Sequence, residues 1–117
     1  MNERLKQAIK LDQKVAIYIP GTINGNEHVN NDSLVKAAAK MLSNAFGGAT
    51  AINTNGYWLS DEYGLIEENT IVVYAFCTAE AIQIELNSIV DWVRDHILIG
   101  LNQESASIEV NGTLYIM

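Results

Sequence analysis

The chain has 117 residues, of which 49% are hydrophobic, so it is long enough to bury a core of its own. We therefore predict a single domain over residues 1–117. Its 14 acidic residues outnumber its 7 lysines and arginines, which gives a formal net charge of −7. Because that charge repels phosphate groups and no basic stripe is present, the composition argues against direct nucleic-acid binding.

The sequence also indicates a compartment. The only cysteine, Cys77, excludes an intramolecular disulfide and fits a reducing environment. Residues 1–14 are charged and lack the apolar centre of a signal peptide, and no apolar run approaches the length of a membrane span. We expect a soluble, cytoplasmic protein with no membrane partner.

The first half of the chain predicts two helices around one strand. Apolar spacing over residues 2–12 favours a short amphipathic helix, and KVAIYIP (14–20) is a β-branched strand that ends at proline. The polar stretch 20–31 is longer than most connections, which makes it a place to look for function. A helix follows over 32–46 and ends at Gly47-Gly48.

The second half predicts a long hairpin, a helix and a short hairpin. Strands are expected at 49–59 and 65–77, joined by the turn DEYG. A helix with the strongest periodicity in the chain begins after Thr78 and runs to about Gly100. The chain closes in a hairpin whose Asn111-Gly112 pair tolerates the positive φ angles of a tight turn.

This order of elements predicts the α+β class. Without its first and last elements the chain reads βαββαβ, the ferredoxin-like plan, in which two helices cover one face of an antiparallel sheet. The expected additions are a short N-terminal helix and a C-terminal β-hairpin strand.

Strand alternation predicts an apolar second face on this sheet. Ala16 and Tyr18, together with Val72, Tyr74 and Phe76, point away from the predicted helices. Such a patch is rarely left in water. It could pack against a second copy, lie under the N-terminal helix, or stack on a planar ligand or an RNA base. We favour a homo-oligomer and expect a dimer.

The stretch GGATAINTNGYWLSDEYG (47–64) is the strongest candidate for a binding surface. Alternation places Thr50, Ile52, Thr54 and Trp58 on one side, and Asn55-Gly56 suggests a bulge. Uncharged donors beside flat aromatic rings suit a small polar or nucleotide-like ligand, although a protein partner or a plain solvated edge strand would also fit. The predicted ligand-binding residues are Tyr18, Thr22, Asn24, Thr50, Asn53, Asn55, Tyr57 and Trp58.

Signals for catalysis, metals and cofactors are weak. His28 and His96 have no second cluster of ligands near them in sequence, and Cys77 closes an apolar strand, which is typical of a buried thiol. Carboxylates pair at Asp61-Glu62 and Glu67-Glu68, beside a predicted turn where charges are ordinary. No phosphate-binding loop is present. We expect no catalytic residue, metal or cofactor.

Four short motifs carry a resemblance to a known group. The strand end IPGT, the helix end SNAFGGAT, the triplet GYW and a glutamate pair before IVVYA resemble small uncharacterised proteins of phages and mobile elements of Firmicutes. The resemblance implies an accessory protein that acts in the host cytoplasm against host defences. Such proteins inhibit a nuclease complex or sequester a nucleotide signal.

These observations lead to one expectation and two alternatives. The leading expectation is a non-enzymatic protein that sequesters a small nucleotide-like ligand. The first alternative is an acidic inhibitor, similar to anti-CRISPR proteins, that binds a basic host protein through the rim of Asp61, Glu62, Glu67 and Glu68. The second is a dimeric enzyme of ferredoxin-like plan, for which Cys77 and His28 are the modest candidates.

Overall fold

The computed structural model describes residues 2–24 and 27–117 as an α+β structure. Its helices are α1 (Glu3–Lys6), α2 (Asp32–Phe46) and α3 (Ala79–Val93), the last continued by a π-helix (Arg94–Ile99). Its strands are β1 (Gln13–Ile19), β2 (Thr22–Ile23), β3 (Glu27–His28), β4 (Thr50–Ser60), β5 (Gly64–Cys77), β6 (Ser107–Val110) and β7 (Thr113–Ile116).

Five strands form one antiparallel sheet in the order β4-β5-β1-β6-β7. Strand β1 lies at its centre, where it pairs from Gln13 opposite Cys77 to Ile19 opposite Ile71. The short strands β2 and β3 pair with each other inside the stretch 20–31 that was predicted as a loop; positions 25 and 26 of that stretch lie outside the described residues. The α+β class is thus confirmed, and the finer ferredoxin-like assignment stays a prediction.

The core lies between the sheet and the two long helices. Val15 and Ile17 on β1 and Val73 on β5 are completely buried, because these alternating side chains point at the helices. The helices contribute Leu42 and Ile89 to the same cluster, as their three-to-four spacing predicts. None of the described helices is long and apolar enough to cross a membrane.

Helix and turn ends follow the predicted chemistry. The Thr78 hydroxyl accepts a hydrogen bond from the Ala81 amide and caps α3. Gly47 ends α2 at φ 94°, and Asn111 and Gly112 both adopt positive φ in the last turn. These positions could be predicted because each requirement is local to a few residues.

Two expected elements differ in the structure. The first helix is four residues long rather than spanning 2–12, and none of its residues is buried, so it does not cover the free face of the sheet. Such a short helix gains little from its own hydrogen bonds. The predicted bulge at Asn55-Gly56 is also absent, because β4 and β5 pair without interruption from Thr50 opposite Tyr74 to Ser60 opposite Gly64.

The long hairpin reaches beyond the rest of the sheet. Pairing between β1 and β5 stops at Ile19 and Ile71, whereas β4 and β5 continue to pair as far as the turn. We call residues 54–70 the hairpin arm. The described structure is elongated, with extents of 55 × 27 × 23 Å.

Candidate functional site

The sheet face that points away from α2 and α3, here called the open face, carries a polar and aromatic surface at its centre. The Lys14 Nζ lies 4.9 Å from the centre of the Tyr74 ring, which meets Phe76 edge to face at 5.8 Å between centroids. Lys14 also lies 3.9 Å from a Glu109 carboxylate oxygen. Together these side chains leave Ala16 beneath them with no exposed surface.

Tyr18 joins this surface through its phenol. The hydroxyl donates to Glu109 Oε1 at 3.4 Å. Burial raises the pKa of Tyr18 above its ordinary value, and the Glu109 carboxylate raises this pKa further. Tyr18 is therefore a neutral hydrogen-bond donor at physiological pH, and Glu109 has both a cation and a phenol as partners.

A second carboxylate, Glu68, lies farther along the open face on the hairpin arm. The Thr22 hydroxyl donates to Glu68 Oε2 at 2.7 Å, and Thr22 is the only polar side chain among residues 2–24 and 27–117 that is fully buried. Within the same described ranges, no lysine, arginine or histidine forms an ion pair with Glu68. Glu68 is thus a half-buried carboxylate that Thr22 holds in place and that has no cation partner in the described ranges.

Gly21 explains how Thr22 comes so close to Glu68. A Cβ atom at Gly21 would lie 2.4 Å from the backbone oxygen of Asn69, so only glycine lets the chain run this close to β5. The Gly21 carbonyl accepts a hydrogen bond from the Val29 amide at 3.0 Å, which holds the segment in place. The next residue, Thr22, then lies beside Glu68.

A second glycine lies across the strand from Glu68, where the Thr70 hydroxyl packs against the backbone. Gly56 is the register partner of Glu68, and a Cβ atom there would lie 2.7 Å from Thr70 Oγ1. By strand alternation the same face of β4 carries Thr54 and Trp58 on either side of Gly56. The arm therefore presents a carboxylate, the Thr70 hydroxyl and an indole ring on one face.

The structure divides the predicted ligand-binding residues between two faces. Alternation along β1 and β4 places Tyr18, Thr50 and Trp58 on the open face, and Thr22 joins them through Glu68. The other three residues of β4 lie on the opposite face: Asn53, Asn55 and Tyr57. Asn24 is exposed and accepts a hydrogen bond from the Asn102 amide group at 3.1 Å.

One ligand on one face of the arm cannot contact both sets of side chains. Glu68 and Glu109 were missing from the predicted set, although a signal for Glu68 was available. It shares its strand alternation with Val72 and Tyr74. The proximity of Glu68 to Thr22 had no local signal, since the two residues are 46 positions apart.

The other residues considered for catalysis have ordinary surroundings. Cys77 is 2% exposed and burial raises the pKa of its thiol, which disfavours the reactive thiolate. His28 is exposed in β3, and His96 stacks on Trp92 at 4.7 Å between ring centres. Among residues 2–24 and 27–117 no three histidine, cysteine or carboxylate side chains are grouped so that they could hold a metal ion.

Two concave regions lie away from the open face. One, of about 410 Å³, lies between α2 and α3 and is lined by Lys40, Met41 and Glu85 among others. The other, of about 280 Å³, lies between α3 and the last hairpin and is lined mainly by apolar groups such as Leu86, Val90 and Tyr115. Neither includes a predicted ligand-binding residue or Glu68.

No protein-family model matches the chain, and no curated protein matches it. Among solved structures, a phage SAM lyase in complex with S-methyl-5′-thioadenosine matches with a TM-score of 0.66 at 14% identity, covering 95% of this chain and 92% of that one. A phage SAM lyase in the apo state matches with a TM-score of 0.62 at 14% identity, covering 94% of each chain. At this identity the likeness shows a common fold.

These comparisons correct the leading expectation from the sequence. Both matched structures are of an enzyme, which contradicts the prediction of a non-enzymatic protein that sequesters its ligand. The finding favours the enzyme alternative instead. The expectation rested on weak sequence signals for a nucleophile–base pair or a metal site, and an enzyme that needs neither gives no such signal.

Proposed function

We propose that this protein is an enzyme that binds S-adenosylmethionine and breaks a carbon–sulfur bond of its sulfonium group, with S-methyl-5′-thioadenosine as one product. The observation that carries the proposal is the Glu68 carboxylate, which Thr22 holds on the open face and which has no cation partner among residues 2–24 and 27–117. The fold match to phage SAM lyase supports the same reaction. The fold match supports the class of reaction, and the Glu68 carboxylate supports the location of the site on the open face.

The charge of this substrate suits Glu68. S-adenosylmethionine carries a sulfonium and an ammonium group close together, and two opposite charges 4 Å apart attract by about 4 kcal/mol near a protein surface. The net charge of −7 adds a long-range attraction for such a ligand. In contrast, Glu109 already has Lys14 within 3.9 Å and is the weaker candidate.

The adenine ring of the substrate suits the aromatic side chains nearby. Trp58 lies two residues after Gly56, which pairs with Glu68 across the hairpin. Its indole offers a flat stacking surface on the same face as Glu68. Gly56 itself adds no side chain between Trp58 and Glu68, and the Thr70 hydroxyl packs against it. Thr54 and Tyr18 add hydroxyl groups, which suit the polar atoms of a nucleoside.

The reaction needs neither a metal nor an activated nucleophile from the protein. The bond between sulfur and the γ-carbon of the methionine part breaks, and its electron pair stays on sulfur to give a neutral thioether. The γ-carbon then bonds to the substrate's own carboxylate and closes a lactone ring. In the alternative route, the β-carbon loses a proton to Glu68 and a double bond forms. Product analysis distinguishes the two routes.

The role of Glu68 can be read from its kinetic effect. Positive charge on sulfur disappears as the bond breaks, so a carboxylate that only attracts this charge binds the substrate better than the transition state. Its loss would then raise KM and would not lower kcat. A carboxylate that orients the substrate or accepts a proton also contributes to kcat.

The test is to incubate the purified chain with S-adenosylmethionine and to separate the products by chromatography. We expect S-methyl-5′-thioadenosine to accumulate, and Glu68→Gln to lower kcat/KM by about 100-fold through loss of the charge. Glu67→Gln is the matched control, because the neighbouring side chain points to the other face of the strand and should leave kcat/KM within about two-fold. Failure of the wild-type chain to form the thioether would overturn the proposal.

We further propose that the chain follows the ferredoxin-like plan. The four main strands stand in the order β6-β1-β5-β4, which supports a βαββαβ arrangement with β7 added at one edge. Assembly into a dimer or a larger homo-oligomer also remains a proposal. The exposed apolar side chains Ile52, Phe76 and Leu114, which share the open face by register, support it.

A further inference from the structure

Two segments that are distant in sequence meet next to the Glu68 carboxylate. The Gln103 Nε2 donates to the Thr22 backbone oxygen at 2.9 Å, and the Asn24 amide donates to the Leu101 oxygen at 2.9 Å. The Asn102 side chain adds a bond to Asn24 at 3.1 Å. We call this set of three hydrogen bonds the tether. It joins the strand that carries Thr22 to the chain that leaves the π-helix.

The π-helix determines where the tether begins. Its wide turns end in hydrogen bonds from Gly100 to Asp95 and from Gln103 to Leu98, each spanning five residues. A Cβ atom at Gly100 would lie 2.6 Å from the His96 oxygen, so a glycine is needed for this winding. Asn102 then adopts φ 48°. This route brings the Gln103 side chain to Thr22.

The tether and the Thr22 hydroxyl form one chain of contacts that ends at a carboxylate oxygen. Gln103 holds the Thr22 backbone, and the Thr22 hydroxyl donates to Glu68 Oε2 at 2.7 Å. No hydrogen bond occupies Glu68 Oε1 within the described part of the chain. A free glutamate side chain samples many rotamers, whereas this one has one oxygen fixed and the other available.

We propose that Thr22 and Gln103 are positioning residues that orient the Glu68 carboxylate toward the cationic end of the substrate. This inference rests on the proposed function. It assigns a role to the tether: a charge held in one orientation discriminates a sulfonium ligand from the neutral thioether with the same nucleoside. Loss of the orientation should weaken recognition of the cation and leave recognition of the nucleoside unchanged.

The main test compares Thr22→Val, which removes only the hydroxyl, with Thr22→Ser, which retains it. For Thr22→Val we expect kcat/KM for S-adenosylmethionine to fall about 10-fold or more, since a hydrogen bond to a charged group is lost. The Kd for S-methyl-5′-thioadenosine should stay within about two-fold. Thr22→Ser should restore kcat/KM to within about three-fold, and Gln103→Leu should show the loss of Thr22→Val in weaker form.

The controls separate positioning from a loss of structure. Thr113→Val removes an exposed hydroxyl on β7, far from the arm, and should match the wild type. Thermal unfolding of every variant identifies a general loss of stability. Equal losses in kcat/KM for S-adenosylmethionine and in affinity for S-methyl-5′-thioadenosine would indicate a structural role and overturn the inference. So would an unchanged kcat/KM in Thr22→Val.

A crystal structure of Thr22→Val provides a readout that does not depend on activity. We expect the Glu68 side chain to leave its present rotamer in Thr22→Val and to keep it in Thr22→Ser. An unmoved Glu68 in Thr22→Val would overturn the positioning role. If the wild-type chain neither cleaves S-adenosylmethionine nor binds S-methyl-5′-thioadenosine, the proposed function fails, and the crystal structure alone then decides between the two outcomes for Thr22.

Discussion

At the scale of single residues, the site depends on two glycines as much as on its functional groups. Gly21 lets the backbone pass against Asn69, and Gly56 leaves room for the Thr70 hydroxyl beside Glu68. Neither glycine has a positive φ, so both are required for space rather than for backbone conformation. A sequence shows such glycines but not which atoms they approach.

Substitution of Gly21 should therefore damage both stability and activity. We expect Gly21→Ala to lower the free energy of unfolding by about 1–3 kcal/mol, because the added methyl group meets backbone that cannot move aside easily. Urea unfolding measures this change. Gly48→Ala is the matched control, since nothing lies within 4 Å of its Cβ position, and it should be neutral or slightly stabilising. Equal effects of the two substitutions would contradict the close approach.

Because the pKa of the Tyr18 phenol is raised, we expect the folded protein to lose stability at high pH. Its pKa is raised in the folded chain by burial and by Glu109, so the folded state holds this proton more tightly than the unfolded state. The resulting stabilisation is present below the ordinary tyrosine pKa of 10.0 and is lost as the pH rises through the folded-state value.

Urea unfolding between about pH 8 and about pH 11 tests this dependence. Wild type should lose more stability over that range than Tyr18→Phe, which has no phenol to ionise. Tyr63→Phe removes an exposed hydroxyl at the hairpin turn and is the control. Parallel profiles for wild type and Tyr18→Phe would show that the phenol contributes nothing to the dependence.

At the scale of elements, the hairpin arm places neighbouring residues on different faces. Tyr57 and Trp58 are adjacent in sequence, and the uninterrupted pairing of β4 with β5 sends them to opposite sides. Both had been assigned to one binding surface. The assignment of the whole predicted set stays a prediction, but the strand geometry makes the two aromatic residues separable.

We expect Trp58→Ala to raise the Kd for S-methyl-5′-thioadenosine by about 10-fold, since stacking of one base contributes on the order of 1–3 kcal/mol. Tyr57→Ala should change it by less than about two-fold. Isothermal titration calorimetry measures both affinities. If Tyr57→Ala has the larger effect, the ligand binds on the helix side of the arm and the open-face site is misplaced.

An element could be predicted from the sequence when the pattern that determines it lies within a few neighbouring residues. The alternation of Val15 and Ile17 predicted the buried face of β1, and the spacing of Ile82, Ile89 and Val93 predicted the buried face of α3. The π-helix was not predicted, because a spacing of four residues from Val93 to Ile97 suits an ordinary helix as well as a wider one.

At the scale of the whole molecule, the N-terminal segment stands apart from the folded part. Leu5, Ile9 and Leu11 are 66%, 91% and 43% exposed, and α1 buries none of its residues. We expect deletion of residues 2–11 to change the free energy of unfolding by less than about 0.5 kcal/mol, because few contacts are lost. Chemical unfolding measures the change, and native mass spectrometry of both forms reports subunit number. A large loss of stability together with a smaller assembly would show that this segment packs against another copy.

The candidate site as a whole combines parts that only the folded chain brings together. Composition and alternation were sufficient to predict an α+β sheet with an aromatic free face. The pairing of Thr22 with Glu68 and of Gln103 with Thr22 spans 46 and 81 positions, respectively, and has no periodic signature. The prediction of a non-enzymatic binder failed at this scale, since it rested on the absence of motifs that the proposed reaction does not need.

The Glu68 carboxylate, which has no cation partner in the described part of the chain, also affects how the proposed enzyme would behave as its substrate is consumed. Cleavage turns the sulfonium into a neutral thioether, so the product lacks the charge that Glu68 attracts. S-methyl-5′-thioadenosine would then leave readily and compete poorly with incoming substrate. Progress curves should stay close to linear until little S-adenosylmethionine is left, with weak inhibition by added thioether. Such kinetics would allow the substrate pool to be drained nearly to completion.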